Sequence, residues 1–203
     1  TMNLSETDAA YYAQGFQYVA GIDEVGRGPL AGPVCAAAVI LPPGLILDGV
    51  NDSKKLSEKK REALYDVIAQ NALCWSYAFV DAPTIDQINI RQATHLAMEN
   101  AVKKLSLPAD FLLIDGNDKI PFSVPYAYLV KGDAKSQSIA AASIMAKVTR
   151  DRYMKEMAKE YPEYAFEKHK GYGTKVHMEA IRAYGLTPLH RVSFMTDKVL
   201  GKV

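Results

Sequence analysis

Little in this sequence points to secretion, to membranes or to disulfide chemistry. It holds two cysteines in 203 residues and no apolar run near the roughly 18 to 20 residues that a bilayer span requires. Cys35 and Cys74 lie in the apolar segments VCAAAVI and ALCWSY, without the regular four-ligand spacing of a zinc site, so both are expected to be reduced and buried. The first eight residues, TMNLSETD, are polar and acidic and lack the basic and apolar regions of a signal peptide, so a cytoplasmic location is expected. No fixed-period repeat, low-complexity tract or Ser/Gly linker divides the chain. The pattern G-x-x-x-x-G-K-[ST] is absent, which excludes a P-loop. G-x-S-x-G is absent too and neither cysteine has a polar context, which argues against a Ser or Cys nucleophile.

What is present suits one globular domain spanning 1–203: 49% of residues are apolar and 23% charged. The net charge of +1 conceals an asymmetry. Residues 131–191 hold 12 Lys/Arg against 7 Asp/Glu, a local net of +5, while the remainder of the chain is net −4. An electropositive face of that kind suits a polyanion, although a solvated helix surface has the same composition.

The pattern predicts strands over Gln17–Glu24, Pro33–Leu41, Leu73–Asp81, Phe111–Asp115 and Tyr126–Lys131. Trp75, Tyr77 and Phe79 fall on one face of the third. Helices are predicted from a Ser57 cap to about Gln70, over Ile88–Leu105, over Gln137–Glu160 with Tyr153 and Met157 toward the core, and over Thr174–Tyr184, stopped by Gly185. Early strands followed by alternating helix and strand imply an α/β fold on a mixed sheet. Its core would run over about 17–160, with a small helical carboxyl-terminal region over about 161–203.

In such sheets ligands bind beyond the carboxyl ends of strands. Asp23 and Glu24 end one predicted strand, Asp115 ends another, and Asp133 precedes the long helix. Four converging carboxylates would repel one another unless divalent cations, Mg²⁺ or Mn²⁺, neutralised them. Two such ions support phosphodiester hydrolysis. A single Asp is more often a helix cap or a surface ion pair, but two adjacent acids closing a buried strand have no evident folding role.

Gly26-Arg27-Gly28 follows directly, and its backbone N–H and C=O groups would suit a sugar hydroxyl; an ordinary turn is the plainer reading. Ser53, Lys54 and Lys55 form a basic loop, and Lys147 and Arg150, three apart on the long helix, share a face that would clamp phosphates. Tyr172, between two glycines in HKGYGT, is placed either to cap the core or to present its ring to a sugar and its hydroxyl to a 2′-OH. His169 in the same loop is a further candidate, for proton transfer.

Together these residues resemble ribonuclease HII, the type 2 ribonuclease H family. The matching stretches are GIDEVGRGPLAGPV (21–34), NDSKKLSEKKRE (51–62), LLIDGN (112–117), VKGDAKSQSIAAASIMAKVTRD (130–151), HKGYGT (169–174) and LHRVSF (189–194). The resemblance implies a ribonuclease H-like mixed sheet flanked by helices. It implies catalytic, metal-holding carboxylates at Asp23, Glu24, Asp115 and Asp133, with two divalent ions, Mn²⁺ or Mg²⁺. Asp23 and Asp133 would serve the ion that activates water, and Glu24 and Asp115 the other. It implies 2′-OH reading by Gly26, Arg27, Gly28 and Tyr172, and phosphate contacts at Ser53, Lys54, Lys55, Lys147 and Arg150.

The implied activity is endonucleolytic cleavage of the RNA strand of RNA–DNA hybrids and cleavage 5′ of ribonucleotides embedded in duplex DNA, giving 3′-OH and 5′-phosphate ends, as ribonucleotide excision repair requires. The implied partners are those nucleic acids and no membrane, with the enzyme a monomer. The residues before Asp23 are too few for the extra amino-terminal domain of ribonuclease HIII, which also lacks the arginine at the position of Arg27. The tail MTDKVLGKV shows no aromatic clamp-binding peptide, which counts against a sliding-clamp partner. Two rivals differ in what they would do: a resolvase or transposase domain would cut all-DNA duplex, and a silent hybrid-binding module would bind without turnover.

Overall fold

The computed structural model describes residues 3–50 and 55–202. Five strands, β1 (Val19–Val25), β2 (Val34–Ile40), β3 (Cys74–Val80), β4 (Phe111–Asp115) and β5 (Tyr126–Leu129), form one mixed sheet in the order β3-β2-β1-β4-β5. The β1–β2 and β2–β3 pairs are antiparallel and the β1–β4 and β4–β5 pairs parallel. The sequence-predicted strands are all present. β5 ends earlier than expected because Lys131 takes a left-handed φ of 54° and a 3-10 turn, Gly132–Ala134, follows.

Helices α1 (Leu4–Ala13), α2 (Glu58–Asn71), α3 (Ala82–Ile88), α4 (Ile90–Lys104) and α5 (Gln137–Glu160) surround the sheet. Small residues set how close they come. β2 is buried throughout: Ala36 and Ala38 join the apolar cluster that α4 covers, and Cys35 and Ala37 join the one that α5 covers. Burial pushes the Cys35 thiol up to about 12, whereas Cys74 is only partly buried, contrary to expectation. The helix predicted over Ile88–Leu105 is present as α4, Ile90–Lys104, whereas α3 was not predicted, and Asn89 separates the two. Its φ of 73° breaks the helical path, and its Oδ1 accepts from Gln92 N at 3.0 Å to start α4.

α1 went unforeseen because its apolar residues lack helical periodicity. Its Asp8 carboxylate is buried against the start of α5, taking Ser136 Oγ at 2.5 Å and Ser138 N at 2.8 Å. That places an acid at a helix amino terminus, although burial holds its pKa above the usual carboxylate range.

α5 lies directly on β1. A Cβ at Gly21 would come within 2.1 Å of the Ser138 carbonyl carbon, so only glycine permits this crossing. Beyond α5, helices α6 (Phe166–His169), α7 (Lys175–Tyr184) and α8 (Asp197–Leu200) gather around a separate apolar cluster containing Leu30, Ala31, Met154, Phe166 and Ile181.

Gly21→Ala is expected to destabilise the protein by about 3 kcal/mol or more, because the obstacle is backbone on both sides. Urea unfolding midpoints check this, and an unchanged midpoint would contradict the close approach.

Candidate active site

β1 and β4 run side by side with Ile22 opposite Ile114, so the residues that follow, Asp23 and Asp115, emerge together at the carboxyl edge of the sheet. Asp115 Oδ1 accepts from Gly132 N at 2.6 Å and thereby fixes the turn that carries Asp133. All four predicted carboxylates, Asp23, Glu24, Asp115 and Asp133, line one cleft of about 390 Å³ together with Arg61, Ser143, Lys147 and Tyr172. Arg61 and Ser143 were not foreseen. Both lie within family-matching stretches, 51–62 and 130–151, but only the placement of α2 and α5 brings them to the cleft.

The electrostatics follow from crowding. Asp23 is almost fully buried, and burial followed by the charges of Glu24 and Asp115 raises its pKa well above the usual carboxylate range. Burial also raises Glu24. Asp23 Oδ1 accepts from Glu24 N at 2.8 Å, whereas Glu24 Oε2 is buried with no hydrogen-bond partner.

Among the described residues no three His, Cys, Asp or Glu side chains are arranged to hold a metal ion as they stand. The donor set nevertheless fits a hard divalent cation. It is all oxygen, it is short of positive charge, and it includes an orphaned buried carboxylate oxygen.

The Gly26–Gly28 turn closes one side. Gly26 has φ +91°, and a Cβ there would meet Arg150 Nε at 2.4 Å. A Cβ on Gly28 would meet only the Tyr172 ring edge, 3.9 Å away, so the turn and the ring face one another. Arg27 reaches back to Glu24 at 4.0 Å and to Asp118 at 3.4 Å. Tyr172 is 38% exposed, in keeping with presentation to a ligand rather than with capping the core.

The basic residues divide. Lys147 lines the cleft and pairs with Asp151 at 3.0 Å. Arg150 corrects the expectation of a phosphate clamp: it is fully buried, donating to Pro33 O at 2.8 Å, Lys170 O at 2.7 Å and Ala31 O at 3.0 Å. No phosphate reaches it; it ties α5 to the loops. Lys55 is exposed at the edge of the described chain, and Ser53 and Lys54 lie outside the described residues. His169 is not poised for proton transfer either. Its Nδ1 accepts from Gly171 N at 3.1 Å, its Nε2 meets Tyr164 O at 2.6 Å, and burial lowers its pKa.

A family model described as ribonuclease HII matches residues 20–197. The chain belongs to the ribonuclease HII family. It is 57% identical over 201 residues to the ribonuclease HII of Bacillus cytotoxicus, spanning 99% of this chain and 77% of that one. It is 55% identical over 193 residues to that of Endomicrobium trichonymphae, spanning 95% and 92%. The crystal structure of the ribonuclease H2 from Pyrococcus horikoshii OT3 superposes with a TM-score of 0.78 at 26% identity, covering 92% of this chain and 98% of that chain. The expected ribonuclease H-like fold is therefore borne out, and membership of this family makes the protein a ribonuclease H, an endonuclease that hydrolyses phosphodiesters. No helix among the described residues is long and apolar enough to cross a membrane.

A carboxyl whose pKa is raised by folding binds its proton more tightly in the folded state, so its ionisation costs stability above the raised value and the cost fades as pH falls through it. Asp23→Asn removes that cost and is therefore expected to stabilise the chelator-treated protein at pH 7. The gain should shrink toward pH 4. Denaturation at the two pH values checks this; a less stable Asn variant at pH 7 would contradict it.

Proposed function

We propose that this ribonuclease HII cleaves the RNA strand of RNA–DNA hybrids and cuts 5′ of single ribonucleotides embedded in duplex DNA, with two divalent cations, Mn²⁺ or Mg²⁺, held by its four carboxylates. The observation that carries this reading is the shared cleft: Asp23, Glu24, Asp115 and Asp133 line the same wall that Tyr172 and the Gly26–Gly28 turn approach. Chemistry and sugar recognition thus act on one nucleotide.

In this reading Asp23 and Asp133 hold one cation and Glu24 and Asp115 the other. When bound, the ions supply the positive charge that activates water and stabilises the leaving 3′ oxygen. The chain's residues do the rest. Glu24 has a buried oxygen without a hydrogen-bond partner among the described residues, which a cation would satisfy, and Asp115 fixes the Asp133 turn through Gly132 N. Lys147 on the cleft wall meets backbone phosphate once Asp151 yields it. Water attacks phosphorus, the bond to the 3′ oxygen breaks, and that oxygen takes up a proton, which leaves 3′-OH and 5′-phosphate ends.

The turn and the ring read the sugar. A 2′-OH both donates and accepts, so it suits a backbone turn facing a phenol hydroxyl, and a deoxyribose would leave those groups unpaired. An all-DNA nuclease of the same fold needs no such reader.

Three measurements test the reading. Asp115→Asn and Asp133→Asn should each abolish cleavage in Mg²⁺ and Mn²⁺ while leaving hybrid binding largely intact; full activity in both would refute the carboxylate assignment. On a gel comparing a single-ribonucleotide duplex, an RNA–DNA hybrid and plain DNA, only the first two should be cut, and EDTA should stop both reactions. Binding affinity should fall steeply with salt, and Lys147→Ala should reduce the slope of log K against log salt by about 1. An unchanged slope would remove Lys147 from the phosphate path.

A further inference from the structure

The segment Thr187–Arg191 lies outside the catalytic cleft, yet it grips both halves of the proposed sugar reader. Its backbone pairs with the loop after the turn: Gly32 N donates to Leu189 O at 2.8 Å, Arg191 N donates to Leu30 O at 2.8 Å, and His190 bridges Ala31. Its two consecutive side chains, both buried, then diverge.

Arg191 reaches the turn. Its Nη2 donates to Gly26 O at 2.6 Å, its Nη1 to Arg27 O at 2.9 Å and its Nε to Gly32 O at 3.0 Å. Among the described residues it makes no ion pair. Burial, and next the nearby Arg150, push its pKa down to about 9. Besides the carbonyls it meets the Phe194 ring, 5.0 Å from its centroid, and feels the charge of Asp86, yet burying a cation there remains expensive and an apolar residue would fill the space at lower cost. What the guanidinium achieves is to set the directions of two carbonyls in the turn that faces Tyr172. Each carbonyl keeps a second lone pair for a ligand.

His190 reaches the ring. Its Nδ1 accepts from Thr187 N at 2.9 Å, so the proton of its neutral ring lies on Nε2, which faces His177 Nε2 at 2.9 Å. His177 therefore accepts there and carries its own proton on Nδ1, which donates to Tyr172 O at 2.9 Å. The backbone partners at the two ends assign every tautomer in this chain of bonds. Burial holds both imidazoles neutral, with pKa values near about 4. The loop is also pinned from the other side, since Gly171 O accepts from Leu30 N at 2.8 Å.

We infer that His190 and Arg191 are positioning residues for ribonucleotide recognition, holding the Tyr172 loop and the Gly26–Gly28 turn at a fixed separation without touching the reacting atoms. The inference rests on the sugar-reading role proposed above. A single embedded ribonucleotide offers one hydroxyl and must be found in one register. A continuous RNA strand offers a hydroxyl at every position, so loosened spacing costs less there.

The test compares kcat/KM on a single-ribonucleotide duplex with kcat/KM on a continuous RNA–DNA hybrid, for wild type, R191K, H190F, H190Q and Y172A. R191K keeps the charge, but one ammonium does not span three carbonyls. H190F removes both ring bonds, whereas H190Q keeps a donor toward His177. R191K and H190F should lose about tenfold or more on the single ribonucleotide, as a lost bond or two implies, with a clearly smaller loss on the hybrid. H190Q should retain most of the wild-type ratio, and the Mn²⁺ concentration for half-maximal activity should not move. R191K adds no volume and reads the same outcome if H190F does not fold. Equal losses on both substrates, or none, would overturn the inference. If Y172A shifts the ratio while R191K and H190F do not, the inference fails and the sugar reading stands. If Y172A leaves the ratio unchanged, the sugar reading fails and the inference falls with it.

Discussion

The close crossing of α5 over β1 at Gly21 determines where everything else in this enzyme lies. With no side chain between them, the helix amino terminus sits beside the strand that carries Asp23 and Glu24 near its carboxyl end. The helix then acts as a ruler, advancing about 1.5 Å per residue along the cleft. Asp133 sits just ahead of it, Ser143 and Lys147 line the wall, and Arg150 arrives beneath the Gly26 turn. One backbone contact thus aligns the carboxylates with the elements that would read the substrate.

Charge is distributed in opposite ways on the two sides of that turn. On the cleft side, acids are crowded with too little positive charge, which raises the Asp23 and Glu24 pKa values and suits the site to divalent cations. On the protein side, two guanidinium groups, Arg150 and Arg191, are buried on carbonyl oxygens. Neither arrangement favours stability by itself. Both make sense as the means of holding a turn, whose φ of +91° at Gly26 only glycine adopts freely, against a charged ligand.

Much of the fold was legible because its elements obey simple periodicities. The apolar strands closing in acids and the Ala-rich α5 announce themselves, as do the Ser57 cap and the Gly185 stop. α1 was not legible because its only buried residue is an acid, Asp8, while Leu4, Tyr11 and Tyr12, which pack against the apolar clusters, are only partly covered. α3 was missed because seven residues are too few to display a helical period, and the positive φ of Asn89 keeps it from continuing into α4. Arg150 was misjudged for a related reason. Its spacing from Lys147 suggested a shared phosphate-facing stripe, yet the carboxyl-terminal loops cover it and turn a surface cation into an internal tie.

The sequence by itself determined the chemistry: which oxygens exist to hold cations, which glycines admit a sharp turn, and which family motifs occur in which order. Those are properties of residue types and local spacing, and they survive without coordinates. Tertiary structure alone decided which cation faces solvent and which is buried, and that His190 and Arg191, 18 and 19 residues after Tyr172 in the chain, reach the Tyr172 loop and the Gly26–Gly28 turn respectively. Burial and hydrogen-bond partnership depend on residues far apart in sequence, which no local pattern records.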